Sequence, residues 1–154
     1  GPSLSPMNAW VFSKGLETLG VRMDRHTQSA EKITQFLEAE SKAEWVKFPY
    51  AASHPQVELA KRQQRGGGGI VTFGIKGGFD AGVKFMNALD MASLTPNLGD
   101  TRTILTHPAS TTHSKLQEEE RLAVGITPGT IRISVGLEHV NDIIGDLEKG
   151  FAAI

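Results

Sequence analysis

Apolar residues recur at helical spacing through the first part of the chain. They stand at Phe12, Leu16, Leu19 and Met23, and again at Ala30, Ile33, Phe36 and Leu37. This spacing predicts one long or two consecutive amphipathic helices over about 6–39. Ser5 and Pro6 supply a capping hydroxyl and a proline for the first helical position. Gly15 and Gly20 predict a kink, because glycine weakens a helix interior.

Beyond residue 40, short strand patterns alternate with helical patterns. The predicted strands are 45–48, 70–75, 103–106 and 130–135. The predicted helices are 54–64, 83–89, 114–122 and 140–151, the last with apolar residues at Val140, Ile143, Ile144, Leu147 and Phe151. Four short strands separated by helices predict an α/β layer with helices against a small sheet. These connections allow parallel or antiparallel neighbours.

Composition narrows the classes of protein. The 154 residues suit one domain or a piece of one, and the net charge of −1 argues against a nucleic-acid binder. The chain has no cysteine. This excludes disulfides, thiolate metal sites and cysteine nucleophiles. No apolar run approaches the roughly 18 residues of a membrane span. The opening, residues 1–6, has no signal-peptide pattern, and a chain free of cysteine fits the cytoplasm.

Three features that could carry chemistry are better explained as structure. The glycine run 66–69 leads into a strand without a Gly-Lys-Ser/Thr triplet, so we interpret it as a flexible turn rather than a phosphate loop. The glutamates 118–120 point in different directions on a helix and indicate a solvated face. The histidines lack the spacing of a zinc site, so no metal is expected; they are interpreted as loop residues that bond backbone or water: His26, His54, His107, His113 and His139.

Arg132 lies in the middle of an otherwise apolar strand. Ser134 shares its face, and the opposite face carries Ile131, Ile133 and Val135. An unpaired buried charge is costly, so the guanidinium needs an anion. One candidate is an internal carboxylate, Glu138 or Asp142. The other is the carboxylate of a ligand, held by the planar fork of the arginine. Composition and spacing do not choose between them.

Five blocks, in order along the whole chain, resemble one known family. They read SPMNA at 5–9, GLETL at 15–19 with RM at 22–23, NLGDT at 97–101, HPASTTH at 107–113 and IRISVGLE at 131–138. Together they resemble the C-terminal part of the pyridoxal-phosphate-dependent (PLP-dependent) Cys/Met metabolism enzymes. That family includes cystathionine γ-synthases and lyases, methionine γ-lyases and homoserine-ester sulfhydrylases. The opening and the NLGDT block look most like the O-succinylhomoserine sulfhydrylases, with the O-acetylhomoserine sulfhydrylases next.

The resemblance implies a fold and a reaction. The fold is that of the C-terminal domain of fold-type I PLP-dependent transferases, a small, mostly antiparallel sheet of about four strands covered by helices. In the reaction, the ester group of O-succinylhomoserine or O-acetylhomoserine leaves and sulfide adds, giving homocysteine for methionine biosynthesis. Arg132 is the residue that grips the α-carboxylate of the amino-acid substrate in relatives, and the turn at Asn97 and Leu98 lies beside that carboxylate.

The resemblance also implies what this chain lacks. The family's Schiff-base lysine stands in a Ser-x-Thr-Lys setting, which no lysine here has. We therefore expect residues 1–40 to link to an absent N-terminal PLP domain, and residues 41–154 to form the substrate domain. The chain alone should be inactive and should bind no cofactor, and the parent should be a homo-oligomer, a tetramer in relatives. The alternatives are a stand-alone interaction or assembly domain without catalysis, or the same domain of an O-acetylhomoserine sulfhydrylase or of a cystathionine γ-synthase or lyase.

Overall fold

The computed structural model describes residues 3–154, so Gly1 and Pro2 of the opening block lie outside the described residues. Its helices are α1 (Pro6–Glu17), α2 (Leu19–Ala39), α3 (Val57–Gln63), α4 (Gly78–Asn87), α5 (Glu118–Ala123) and α6 (Val140–Ala152). Its strands are β1 (Ala43–Lys47), β2 (Ile70–Ile75), β3 (Ser93–Leu94), β4 (Ile104–Thr106) and β5 (Thr130–Ser134). A short 3-10 helix, Pro108–Ser110, follows β4.

The first two helices follow the predicted pattern. The Asn8 amide donates to the Ser5 hydroxyl at 3.2 Å, which caps α1. The helix is interrupted at Thr18, between the two glycines that weaken it. The second half of α2 buries Ala30, Ile33 and Leu37 in the core, whereas α1 buries no residue. Of the two helices, α2 is therefore the one that holds the body of the domain together.

The sheet has five strands in the order β1-β2-β5-β4-β3. All neighbours are antiparallel except β3 and β4, which confirms the mostly antiparallel sheet. The additional strand, β3, has two residues and is too short to show an alternating pattern. The predicted helices at 54–64 and 114–122 shorten to Val57–Gln63 and Glu118–Ala123. Turns occupy part of both stretches, in which apolar residues are sparse.

The hydrophobic core packs on one face of the sheet. Phe73, Phe85 and Phe151 are buried there with neighbouring ring centroids 4.9–6.0 Å apart. Because side chains alternate along a strand, Ile131 and Ile133 of β5 enter the core while Arg132 and Ser134 face the opposite side. None of the helices in residues 3–154 is both long and apolar enough to cross a membrane.

Candidate functional site

The guanidinium of Arg132 is held by backbone carbonyls. Its Nη2 donates to Pro96 O at 2.7 Å and to Asn97 O at 3.3 Å, and Thr106 Oγ1 lies at 3.5 Å. These partners carry no net charge. The strand therefore presents a cation that is oriented but not neutralised.

Neither of the internal carboxylates considered for Arg132 reaches it. Glu138 accepts hydrogen bonds from the Thr103 amide at 2.7 Å and the Thr103 hydroxyl at 2.8 Å, and Asp142 is exposed. Within residues 3–154, Arg132 forms no salt bridge, and its buried Nε has no hydrogen-bond partner. A buried N–H without an acceptor is costly. This geometry leaves Arg132 without either of the internal carboxylates that the sequence offered.

The turn 96–99 lies directly over Arg132. Gly99 has φ +83°, which favours glycine, and its amide donates to Ser134 Oγ at 3.0 Å. Asn97 and Leu98 are exposed, and within the described part of the chain their amides donate no hydrogen bond. Two free amides and an unneutralised guanidinium thus belong to one small surface, which can hold a carboxylate.

Asp100 and Arg102 neutralise each other beside this turn. Asp100 accepts from the Arg102 guanidinium at 3.0 Å and from the Arg102 amide at 3.1 Å. The guanidinium, followed by that amide, lowers the pKa of Asp100 to about 2. At neutral pH the pair carries no net charge, so it neither adds to nor cancels the charge of Arg132.

His107 is a structural residue. Because a carbonyl only accepts, its Nε2 donates to Pro128 O at 2.7 Å, which leaves Nδ1 to accept from the Ser110 hydroxyl at 2.8 Å. Burial lowers the pKa of His107, the bond to Pro128 opposes this, and the charge of Arg121 lowers it further. His26 corrects the prediction of loop histidines, since it lies on α2 and bonds Val135 O. No cluster of metal-ligating side chains occurs in residues 3–154.

The glycine run, for which the sequence predicts a flexible turn, is packed against the core at Gly67. A Cβ on Gly67 would overlap the buried ring of Phe48, and Gly68 has φ +79°. These glycines are required by packing and backbone conformation rather than by a phosphate. The glutamates 118–120 are exposed as predicted, and Glu120 accepts from the Gln117 amide at 2.8 Å to cap α5.

Apolar surface lies beside the turn and also along α1. A cavity of about 220 Å³ beside the turn is lined by Leu19, Met23, His26, Leu98 and Ser134, among others. The apolar residues of α1 are exposed, with Trp10 at 59% and Phe12 at 64%. The helical spacing predicts that Phe12 and Leu16 lie on a helix, but spacing does not reveal whether the partner of an apolar stripe lies in the same chain.

Several residues that build this site had no recognisable pattern in the sequence. Pro96 acts through its carbonyl, and Thr106 and Thr95 join the turn to β4 by a 2.7 Å hydrogen bond. A backbone carbonyl has no sequence pattern of its own. Strand alternation places Ser134 on the face of Arg132 but does not indicate a function for it.

The known proteins reported below, to which this chain is similar, all point to one family. The family model described as Cys/Met metabolism PLP-dependent enzyme matches residues 1–152. The O-succinylhomoserine sulfhydrylase of Pseudomonas aeruginosa is 49% identical over the whole chain, which covers 38% of that protein. The L-methionine gamma-lyase of Fusobacterium nucleatum subsp. polymorphum is 46% identical, with 39% of it covered. The O-acetyl-L-homoserine sulfhydrylase of Leptospira meyeri is 44% identical, with 35% covered.

A solved structure shows the same fold. A Campylobacter jejuni protein assigned as an O-acetylhomoserine (thiol)-lyase, whose crystal structure holds pyridoxyl-lysine phosphate, superposes with a TM-score of 0.90 at 40% identity. The match covers 99% of this chain and 36% of that one. The chain therefore spans little more than a third of the length of the relatives it matches.

Proposed function

The chain belongs to the Cys/Met metabolism PLP-dependent enzymes, and from that premise we propose that it is the substrate-binding portion of a homoserine-ester sulfhydrylase. The parent enzyme would convert O-succinylhomoserine and sulfide into homocysteine and succinate. The observation that carries this proposal is Arg132, whose charge has no internal counterion within residues 3–154 and whose buried Nε has no acceptor there. The succinyl ester is chosen on the 49% identity to the Pseudomonas aeruginosa sulfhydrylase.

The role of this chain is to bind and orient the amino-acid substrate. The guanidinium of Arg132 donates from the ηN–H groups that the carbonyls leave free to the two oxygens of the α-carboxylate. The exposed amides of Asn97 and Leu98 supply further donors. Fixing the carboxylate fixes the position of the substrate's reacting carbons, which lowers the entropic cost of the reaction.

The cofactor is assigned to the rest of the protein. The lysine nearest the family's first block, Lys14, is exposed on α1 and paired with Glu17 at 2.6 Å, and no lysine stands in the Ser-x-Thr-Lys setting. We therefore place the PLP site in the part of the relatives' length that this chain does not span. Where it is bound, PLP supplies an electron sink for removing protons from the substrate.

The missing portion is also the proposed partner of the exposed helix. Monomeric proteins rarely leave a large contiguous apolar patch in water. Met7, Trp10 and Leu16 of α1 are each more than half exposed. We propose that α1 packs on the absent PLP domain and that the parent assembles as a homo-oligomer.

The proposal is tested in a chimera, defined as the Pseudomonas aeruginosa sulfhydrylase with this chain in place of its matching segment. Arg132→Ala should raise the KM for O-succinylhomoserine strongly, because removing one side of a buried charge pair costs about 2–5 kcal/mol. That corresponds to a factor of about 30 to several thousand. Arg132→Lys keeps the charge but loses the fork, so KM should rise less.

The matched control is Arg102→Lys, which alters an exposed guanidinium beside the same turn. Its KM should stay close to that of the chimera. If Arg132→Ala binds O-succinylhomoserine as well as the chimera does, the assignment is wrong. Binding can also be followed on the chain itself, by nuclear magnetic resonance (NMR) of the Arg132 Nε–H signal during titration with O-succinylhomoserine.

A further inference from the structure

We propose that Ser134 is a positioning residue for the carboxylate site and that its hydroxyl fixes the turn 96–99 against Arg132. This inference rests on the proposed function, since it concerns the same site. Ser134 stands two residues after Arg132 on β5, so both side chains leave the sheet on the same face. The strand β5 therefore carries both the guanidinium and a hydroxyl that bonds the turn beside it.

The two side chains hold the two ends of the turn. Arg132 Nη2 donates to Pro96 O at 2.7 Å, and Ser134 Oγ accepts from the Gly99 amide at 3.0 Å. Ser134 is 3% exposed whereas Gly99 is exposed, so this hydrogen bond is half-buried. Such a bond is expected to persist and to define the position of the backbone it holds.

Among the residues that the structure describes, no other group of the sheet bonds the backbone of the turn. Before it, Thr95 is joined to β4 through Leu105 O and the Thr106 hydroxyl, and after it Thr101 O accepts from the Leu137 amide. Between Thr95 and Thr101, within the described residues, the sheet bonds the backbone only through Arg132 and Ser134. Without Ser134, the arginine that must bind the ligand would be the only tie of the turn to the sheet.

The consequence for binding is specific. A loosened turn moves the Pro96 and Asn97 carbonyls that orient the guanidinium, together with the free amides of Asn97 and Leu98. The carboxylate would then meet donors that are no longer preorganised, and affinity would fall. The chemistry after binding uses groups outside this chain, so its rate should change little.

The experiment compares Ser134→Ala and Ser134→Thr in the chimera defined above. Ser134→Ala should raise the KM for O-succinylhomoserine about five- to tenfold, the effect of one lost hydrogen bond, with kcat within about twofold. Ser134→Thr keeps the hydroxyl that accepts from the Gly99 amide, so KM should return towards that of the chimera.

Thr130→Val is the matched control. Thr130 is 4% exposed on the same strand, and its hydroxyl accepts from the Thr127 amide at 2.8 Å in a different turn. This variant should lose stability without a change in KM. In the chain itself, NMR should show faster hydrogen exchange of the Gly99 amide in Ser134→Ala and not in Thr130→Val.

The outcomes separate this inference from the proposed function. An unchanged KM in Ser134→Ala, while Arg132→Ala raises it, overturns the positioning role alone. If neither variant raises KM, the proposed function fails as well. Should Ser134→Ala not fold in the chimera, Ser134→Cys provides a weaker acceptor of similar size. A KM in Ser134→Cys that equals that of the chimera would overturn the inference.

Discussion

Asp146 joins α6 to the segment before β3 through a buried carboxylate. Its Oδ1 accepts from the Asp90 amide at 2.8 Å, and its Oδ2 accepts from the Met91 and Ala92 amides at 3.1 and 3.0 Å. The residue is 3% exposed. We expect Asp146→Ala to release this segment and to lower the free energy of unfolding substantially.

The magnitude follows from the three hydrogen bonds. A bond to a charged group contributes about 1.5–3 kcal/mol, but three that share one carboxylate do not add fully. Lys149 lies 3.9 Å away with its side chain half exposed, and such pairs contribute about 0.2–1 kcal/mol. We expect Asp146→Ala to cost about 2–4 kcal/mol. Asp146→Asn keeps one acceptor oxygen and should cost about half as much.

The assay is urea unfolding followed by circular dichroism, with hydrogen exchange at the amides of Asp90, Met91 and Ala92. Glu148→Gln is the control, because Glu148 is an exposed carboxylate on the same helix. Its free energy of unfolding should change by less than about 0.5 kcal/mol. The reasoning would be refuted if Asp146→Ala were as stable as the control, or if exchange at these three amides did not accelerate.

Two further predictions concern packing and pH. Gly67→Ala should cost about 1–3 kcal/mol, because the new Cβ overlaps the Phe48 ring. Gly145→Ala on α6, where a Cβ meets nothing, should stabilise by up to about 1 kcal/mol; equal urea midpoints for the two variants would contradict this. Burial lowers the pKa of His107 below its ordinary 6.5, so the unfolded chain binds a proton more readily. The stability that neutral His107 provides should be complete above about pH 6.5 and decline as the pH falls. Urea unfolding at about pH 7.5 and 5.5 should show a smaller decline in His107→Gln.

The elements with several turns or a buried alternating face were predictable from sequence. The stripe of α6 was one, and the structure buries Ile143, Leu147 and Phe151 from it. The alternation of β5 was another, since Ile131 and Ile133 enter the core opposite Arg132. In both cases the local period and the burial requirement agree, so pattern and structure coincide.

The features that the sequence pattern did not predict depend on contacts between residues that are distant in the chain. The strand β3 has two residues, which pair in parallel with β4. It is a strand only because of this pairing, which its own sequence does not indicate. Phe48 packs on Gly67 of the glycine run, although these residues are far apart in sequence. The stripe on α1 has the same spacing as a core stripe, but nothing within residues 3–154 buries it.

The sequence alone does not show which groups bond Arg132, and the structure does. Sequence places a charge in an apolar strand and supplies Glu138 nearby, but it does not show that Glu138 is already engaged by Thr103. Gly136 makes that engagement possible, because any Cβ there would overlap the Glu138 carboxylate and the Thr103 amide. Because Gly136 leaves room for this contact, Glu138 bonds Thr103 and does not pair with Arg132. Within residues 3–154, what remains for the guanidinium is a set of uncharged acceptors that orient it.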